Sequence, residues 1–130
     1  MVEIEPIWTD WPYARIRRIV EKERGRVSRF VIQLEYDVGR VDSEKSTPSW
    51  RVVARFDHDS AGAGGHDVTE EGLHMDVYRG GLRYRRARGY PTLPPGEAMR
   101  FAERHLVENS RRLIARFERW HELHRPGERR

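Results

Sequence analysis

Residues 50–88 read WRVVARFDHDSAGAGGHDVTEEGLHMDVYRGGLRYRRAR. This stretch decides the fold class, because its periods are those of strands. Trp50, Val52, Ala54 and Phe56 alternate with Arg51, Val53, Arg55 and Asp57. A period of two predicts a strand with one buried face. Leu73, Met75 and Val77 alternate with His74, Asp76 and Tyr78 in the same way. Gly80 and Gly81 then supply the positive φ angles of a two-residue hairpin turn. In that hairpin Arg79 faces Leu82, Val77 faces Tyr84 and Asp76 faces Arg85. One turn earlier, Thr69, Glu70, Glu71 and Gly72 read as a four-residue hairpin loop. It would set Val68 opposite Leu73 and Asp67 opposite His74. Asp67, His74, Asp76, Tyr78, Arg83 and Arg85 are therefore expected on one polar face, which Arg55 and Asp57 could join.

Working outward, the chain of 130 residues suits one domain, expected over 1–130. Apolar residues make up 37%, enough for a modest core, and charged residues 35%, which makes most of the surface ionic. With no cysteine there is no disulfide framework and no thiolate metal site. The first residues lack a basic segment followed by an apolar one, and no run reaches the length of a membrane span. A cytoplasmic protein without a membrane partner is expected. The net charge is +4, and lysine occurs only at Lys22 and Lys45, so the positive charge is almost all arginine. Arginine grips phosphate and carboxylate in a planar fork and stacks on aromatics. A GC-rich genome would produce the same arginine usage without functional meaning.

Upstream, residues 1–9 read as a loose arm anchored by Trp8. Residues 10–25 are ambiguous. Asp10 as N-cap, Pro12 in the first turn, the face of Ile16, Ile19 and Val20, and Gly25 at the end favour a helix. The rival is a strand over 15–21 that turns through 22–25. Residues 29–37 are the clearest strand, with Phe30, Ile32, Leu34 and Tyr36 on one side and Val31, Gln33 and Glu35 on the other. Residues 38–49 form a polar loop, and residues 58–65 a flexible, glycine-rich one that is no phosphate-binding P-loop, since no Gly-Lys-Ser/Thr follows. Downstream, a helix is predicted over about 97–123. Met99, Ala102, Leu106, Leu113, Phe117 and Trp120 form its apolar stripe, and Asn109 within the stripe needs a partner. Glu108 and Arg112 form an expected i,i+4 pair on its wet side. His105, His121 and His124 are placed on the helix surface, and 125–130 as a frayed tail. The predicted architecture is α+β: an antiparallel sheet of four to five strands with the long helix packed on one face.

The segments Phe30-Val31-Ile32-Gln33-Leu34-Glu35-Tyr36 and Trp50-Arg51-Val52-Val53-Ala54-Arg55-Phe56-Asp57, then His66-Asp67, a glycine turn and a terminal helix, go together. This combination resembles an uncharacterised family of small prokaryotic proteins known only as a domain of unknown function. The likeness covers roughly 15–120. In that family the histidine–aspartate element directly follows the strand, whereas here residues 59–65 intervene. The resemblance implies an α+β fold and a hairpin over 15–36, and no established activity. A looser likeness, in layout alone, is to small toxins of toxin–antitoxin loci.

Three constellations carry chemistry. A carboxylate opposite a histidine raises its pKa and orients its ring, so His74 with Asp67 and Asp76, and with Arg55 and Asp57 nearby, is a candidate catalytic set. A surface cross-strand ion pair would look the same in sequence. No cofactor is predicted. A divalent metal is possible, with His66, His74 and Asp76 as the weak candidates and Asp57 and Asp67 as further oxygen donors, but no metal-ligand spacing such as HExxH is present. Third, Arg79, Arg83, Tyr84, Arg85, Arg86 and Arg88 interleave arginine with tyrosine, a pattern suited to phosphates and unpaired bases. The expected function is interaction with RNA or single-stranded DNA, extended to RNA cleavage by His74, Asp67 and the arginines. The competing class is a non-enzymatic assembly module using the long helix. Phe117 and Trp120 would overhang a small sheet, to be covered either by the N-terminal arm with Trp8 and Trp11 or by a second subunit, and of the two a homodimer is expected.

Overall fold

The computed structural model describes residues 1–41, 47–60 and 67–127. The glycine-rich loop expected over 58–65 falls mostly outside them, and so does His66. Six strands form one antiparallel meander in sequence order. They are β1 (Val2–Asp10), β2 (Ala14–Glu23), β3 (Arg26–Asp37), β4 (Trp50–Asp59), β5 (Met75–Arg79) and β6 (Leu82–Ala87). A 3-10 turn covers Val38–Arg40, one helical turn, α1, covers Val68–Glu71, and the long helix α2 covers Pro95–Trp120. The α+β reading holds, with six strands instead of four to five.

One of the two extra strands lies where sequence predicted an arm; the other lies where helix and strand were both open, and it is the strand, as the hairpin implied by the resemblance required. Residues 2–10 are β1, hydrogen-bonded to β2 from Val2↔Val20 to Asp10↔Ala14. Residues 14–23 are β2, paired along its length with β3. Arg24 and Gly25, both at positive φ, close that hairpin. The apolar spacing of Ile16, Ile19 and Val20 fitted a helix, but ten-residue pairing with the strongest strand of the chain outweighs local propensity. Residues 58 and 59 also belong to strand, not loop.

The helix runs along β3, not across the sheet. A Cβ at Gly96 would lie 3.9 Å from Val27 at the start of β3. At the other end Phe117 stacks on Tyr36, with ring centroids 5.5 Å apart. A helix of 26 residues at ~1.5 Å each and a strand of 12 at ~3.4 Å are both roughly 40 Å long. The helix is thus matched to a strand's length. Ala98, Ala102, Leu106, Leu113, Ile114 and Phe117 are buried against Ile16, Phe30, Ile32, Leu34, Tyr36, Ala54, Phe56, Met75 and Val77. Phe117 does not overhang, being 3% exposed. Trp120 is half-buried and covered from within the chain, by Tyr84 of β6 at 4.9 Å and by the guanidinium groups of Arg79 and Arg116. No helix among the described residues is long and apolar enough to cross a membrane.

Two bulges shift side chains from their expected faces. The β3–β4 register slips between Leu34 and Glu35, which leaves Val53 as the extra residue. Val53 is therefore buried in the core in place of Val52, while Arg51 moves to the side of Tyr36. The β5–β6 register slips at Tyr84, so that Asp76 faces Arg86 and Val77 faces Arg85.

Two histidines placed elsewhere by sequence are structural. His58 is 1% exposed; its Nδ1 accepts from Val68 N–H at 3.1 Å and its Nε2 donates to Ser60 Oγ at 2.8 Å. It latches α1 to the end of β4. His105 is not a surface residue of α2, for it sits among Phe56, Tyr90 and Phe101. Burial, reinforced by nearby Arg112, holds its pKa below the ordinary 6.5. Asn109 donates to the His105 carbonyl at 2.8 Å, and Arg112 reaches Asn109 instead of Glu108. Nor is the tail frayed at Arg125, which bridges Glu118 and Asp10 and lies over the Tyr13 ring.

Phe56 is fully buried, so Phe56→Ala should cost ~3–5 kcal/mol in chemical denaturation; a loss below about 1 kcal/mol would contradict this packing. For His105 the unfolded chain takes up its proton as pH drops below 6.5, while the folded chain resists. Stability should therefore decline as pH falls from about 6.5 towards 5, and His105→Phe should remove part of that decline in thermal melts across this range.

Candidate functional site

Side chains of a strand alternate between faces, and α2 covers only one face of the sheet. The opposite face carries a row that crosses five strands: Arg17, Gln33, Arg55, Asp76 and Arg86, each paired in register with the next. Beside it lies a second row of Trp8, Arg15, Glu35 and Val52. Trp8 and Trp50 lean together, with centroids 5.9 Å apart, and the Arg15 guanidinium lies 3.9 Å from the Trp50 ring. Beneath them Glu35 is 5% exposed, held by Arg15 at 3.2 Å and Gln33 at 2.6 Å. Arg17 pairs with Glu3, Arg55 with Asp57 at 3.1 Å and Arg86 with Asp76 at 2.8 Å. The bond to Asp76 is the main reason that Arg86 has a raised pKa.

Most of the expected catalytic set gathers on this face. Arg55, Asp57 and Asp76 are neighbours, and Asp57 has one buried oxygen, Oδ1, without a hydrogen-bond partner. His74 is buried just before β5; its Nε2 donates to the Glu71 carbonyl at 3.1 Å, with Arg88 Nη1 at 3.4 Å. Asp67 is not opposite His74. The segment expected as a hairpin loop is the helical turn α1, and Asp67 caps it by accepting from Thr69 N–H and Oγ1. Those bonds hold its carboxyl below the usual range. His58 Nδ1 lies 4.0 Å from an Asp67 carboxylate oxygen. Because His58 Nδ1 accepts from Val68, it carries no proton there to make that approach an ion pair. Among the described residues no three of His, Asp and Glu gather as metal ligands.

The expected nucleic-acid set divides between two faces. Arg86 is paired on the ionic face, Arg88 lies by His74, and Arg83 is exposed opposite Tyr78. Arg79, Tyr84 and Arg85 lie elsewhere, at the edge where β6 meets the second half of α2. There Trp120 is flanked by the guanidinium groups of Arg79 at 4.9 Å and Arg116 at 4.7 Å, with Tyr84 against its ring and 57% exposed. Arg112, Arg85 and Arg119 surround Arg116, whose pKa is lowered by burial and then by these like charges. None of these five arginines forms an ion pair with a described carboxylate. The helix members of this patch, Arg112, Arg116, Arg119 and Trp120, are absent from the sequence-based set. Their spacing of three and four along one helix face was the available signal, and reading Trp120 as core hid it.

A protein-family profile described as Domain of unknown function (DUF7718) matches residues 6–123. The chain belongs to this family. The uncharacterised family expected from sequence is thereby found, and the DUF7718 match spans β1 through α2. No curated protein and no solved structure matches the chain.

Asp76 and Arg86 form the most buried charge pair of the ionic row. Arg86→Ala, which strands the Asp76 carboxylate, should cost about 3 kcal/mol or more, and adding Asp76→Asn should recover part of that loss. Urea titrations of the two single variants and the double variant check this. Independent, additive losses would mean that the pair is not coupled.

Proposed function

We propose that this domain binds single-stranded nucleic acid, RNA foremost, at the patch formed by Arg79, Tyr84, Arg85, Arg112, Arg116 and Trp120. The observation that carries this reading is the crowding of like-charged guanidinium groups around two aromatic rings. A folded chain gains nothing by gathering arginines that repel one another. A polyanion relieves that repulsion, and the exposed Tyr84 ring offers stacking surface to an unpaired base. Elsewhere on the molecule arginines meet carboxylates, at Arg15, Arg17, Arg55, Arg86 and Arg125.

The geometry supports binding better than cleavage. Asp76 and Arg86 lie on the sheet face opposite to Val77 and Arg85, so the acid–base candidates and the patch do not share a surface. Their charges also largely neutralise one another. The assembly reading finds little support on α2, where Val107 is the only large apolar side chain exposed among the described residues.

Fluorescence anisotropy with a labelled single-stranded oligonucleotide tests the proposal. Log affinity should fall linearly with log salt. Arg85→Ala with Arg116→Ala should flatten the slope by about 0.7 for each phosphate that is no longer neutralised. His74→Gln should leave it unchanged. Absence of binding at low salt, or a slope indifferent to the two arginines, would remove the reading.

A further inference from the structure

The ladder between β4 and β5 stops early. Arg55↔Asp76 and Ala54↔Val77 pair, and no pair follows. A continuous ladder would next pair Val53 with Tyr78; instead Val52 and Tyr78 line a cleft of about 330 Å³. The cleft also takes in Trp50, Phe117 and His121, with Arg51 at its rim. Three features keep it open. The bulge at Val53 interrupts the regular run of β4 next to the last residue paired with β5. Gly80 and Gly81, at φ 62° and 79°, turn the β5–β6 hairpin without side chains that would fill the mouth. His121 accepts from Gly80 N–H at 2.9 Å and donates to the Phe117 carbonyl at 2.8 Å, which fixes the helix end to the hairpin.

The cleft adjoins the arginine patch along the chain. Arg79, which lies over Trp120, directly precedes the Gly80 and Gly81 of the cleft wall, and Trp120 directly precedes His121. Its size falls at the lower end of small-ligand sites, and its walls are aromatic and aliphatic around a seam of strand backbone. We propose that this cleft receives one unstacked base of the strand whose phosphates lie on the patch. This rests on the nucleic-acid reading above. The base edge is read against the seam between β4 and β5, its faces meet Trp50, Tyr78 or Phe117, and Arg51 at the rim meets a neighbouring phosphate.

The test compares two strands of equal length, an oligothymidylate and the same backbone made wholly abasic, bound to the full chain. Patch stacking and cleft filling both distinguish these strands, so a cleft-filling variant, Val52→Trp, separates them. It should weaken the oligothymidylate at least about fivefold and leave the abasic strand unchanged. Amide NMR of the unaltered chain gives a readout that needs no variant: the oligothymidylate should shift Gly80, Gly81 and the Trp50 indole, and the abasic strand should not. Equal losses on both strands, or unmoved Gly80, Gly81 and Trp50 signals while the oligothymidylate binds, would overturn the cleft and leave the patch standing. If neither strand binds at low salt, both proposals fall.

Discussion

A six-stranded sheet with a single long helix has one face that no helix covers, and the rest of the structure follows from how that face is managed. An apolar back face would be an exposed patch of a kind that soluble domains seldom carry. Here the face is built from arginine, glutamine and carboxylates set in register across β2 to β6. The long arginine stems cover the sheet while their guanidinium groups find carboxylates. Gln33, Glu35 and Asp76 are therefore buried without any element packed above them. The sheet edges are guarded as well. β1 carries Pro6 and two register slips, and β6 carries three arginines, so neither free edge invites another strand.

The covered face has a different constraint. α2 is aligned with β3, so its apolar stripe is used along nearly its full length, and the clasp at its end has to be polar. Tyr36 reaches through the core to Glu118 at 2.6 Å, and Arg125 joins Glu118 to Asp10 at the end of β1. Burial and the bond to Glu118 push the Tyr36 hydroxyl well above its ordinary pKa, which keeps it a donor. For Arg125 burial works against the charge, and the two carboxylates outweigh it. The clasp ties the first strand, the central strand and the last turn together.

Much of this was legible in the sequence. Alternation located β3, β4 and β5, the paired glycines located the β5–β6 turn, and the stripe from Met99 to Trp120 located α2. What failed did so for identifiable reasons. Ile16, Ile19 and Val20 satisfy helical spacing, and only pairing with β3 makes that segment a strand. Bulges have no strong sequence signal, yet the one at Tyr84 exchanges Arg85 for Arg86 opposite Asp76, and the one at Val53 exchanges Val52 for Val53 in the core. A shift of one residue moves a side chain to the other face. The sequence therefore grouped on one face side chains that the bulges divide between two.

That division bears on how a basic protein uses its charge. A net charge of +4 on 25 basic and 21 acidic residues is a small excess. Spread evenly it would produce little field. Several carboxylates, however, are engaged on the ionic face and in the Arg125 clasp, whereas the arginines beside Trp120 have like charges for neighbours, and burial there makes the Arg116 charge costly. Exposed like charges repel one another weakly in water, and salt screens them. Arg116 is partly buried, so its repulsion with the exposed Arg85, Arg112 and Arg119 is screened less. That patch lies beside the hairpin of Gly80 and Gly81, which also lines the cleft between β4 and β5.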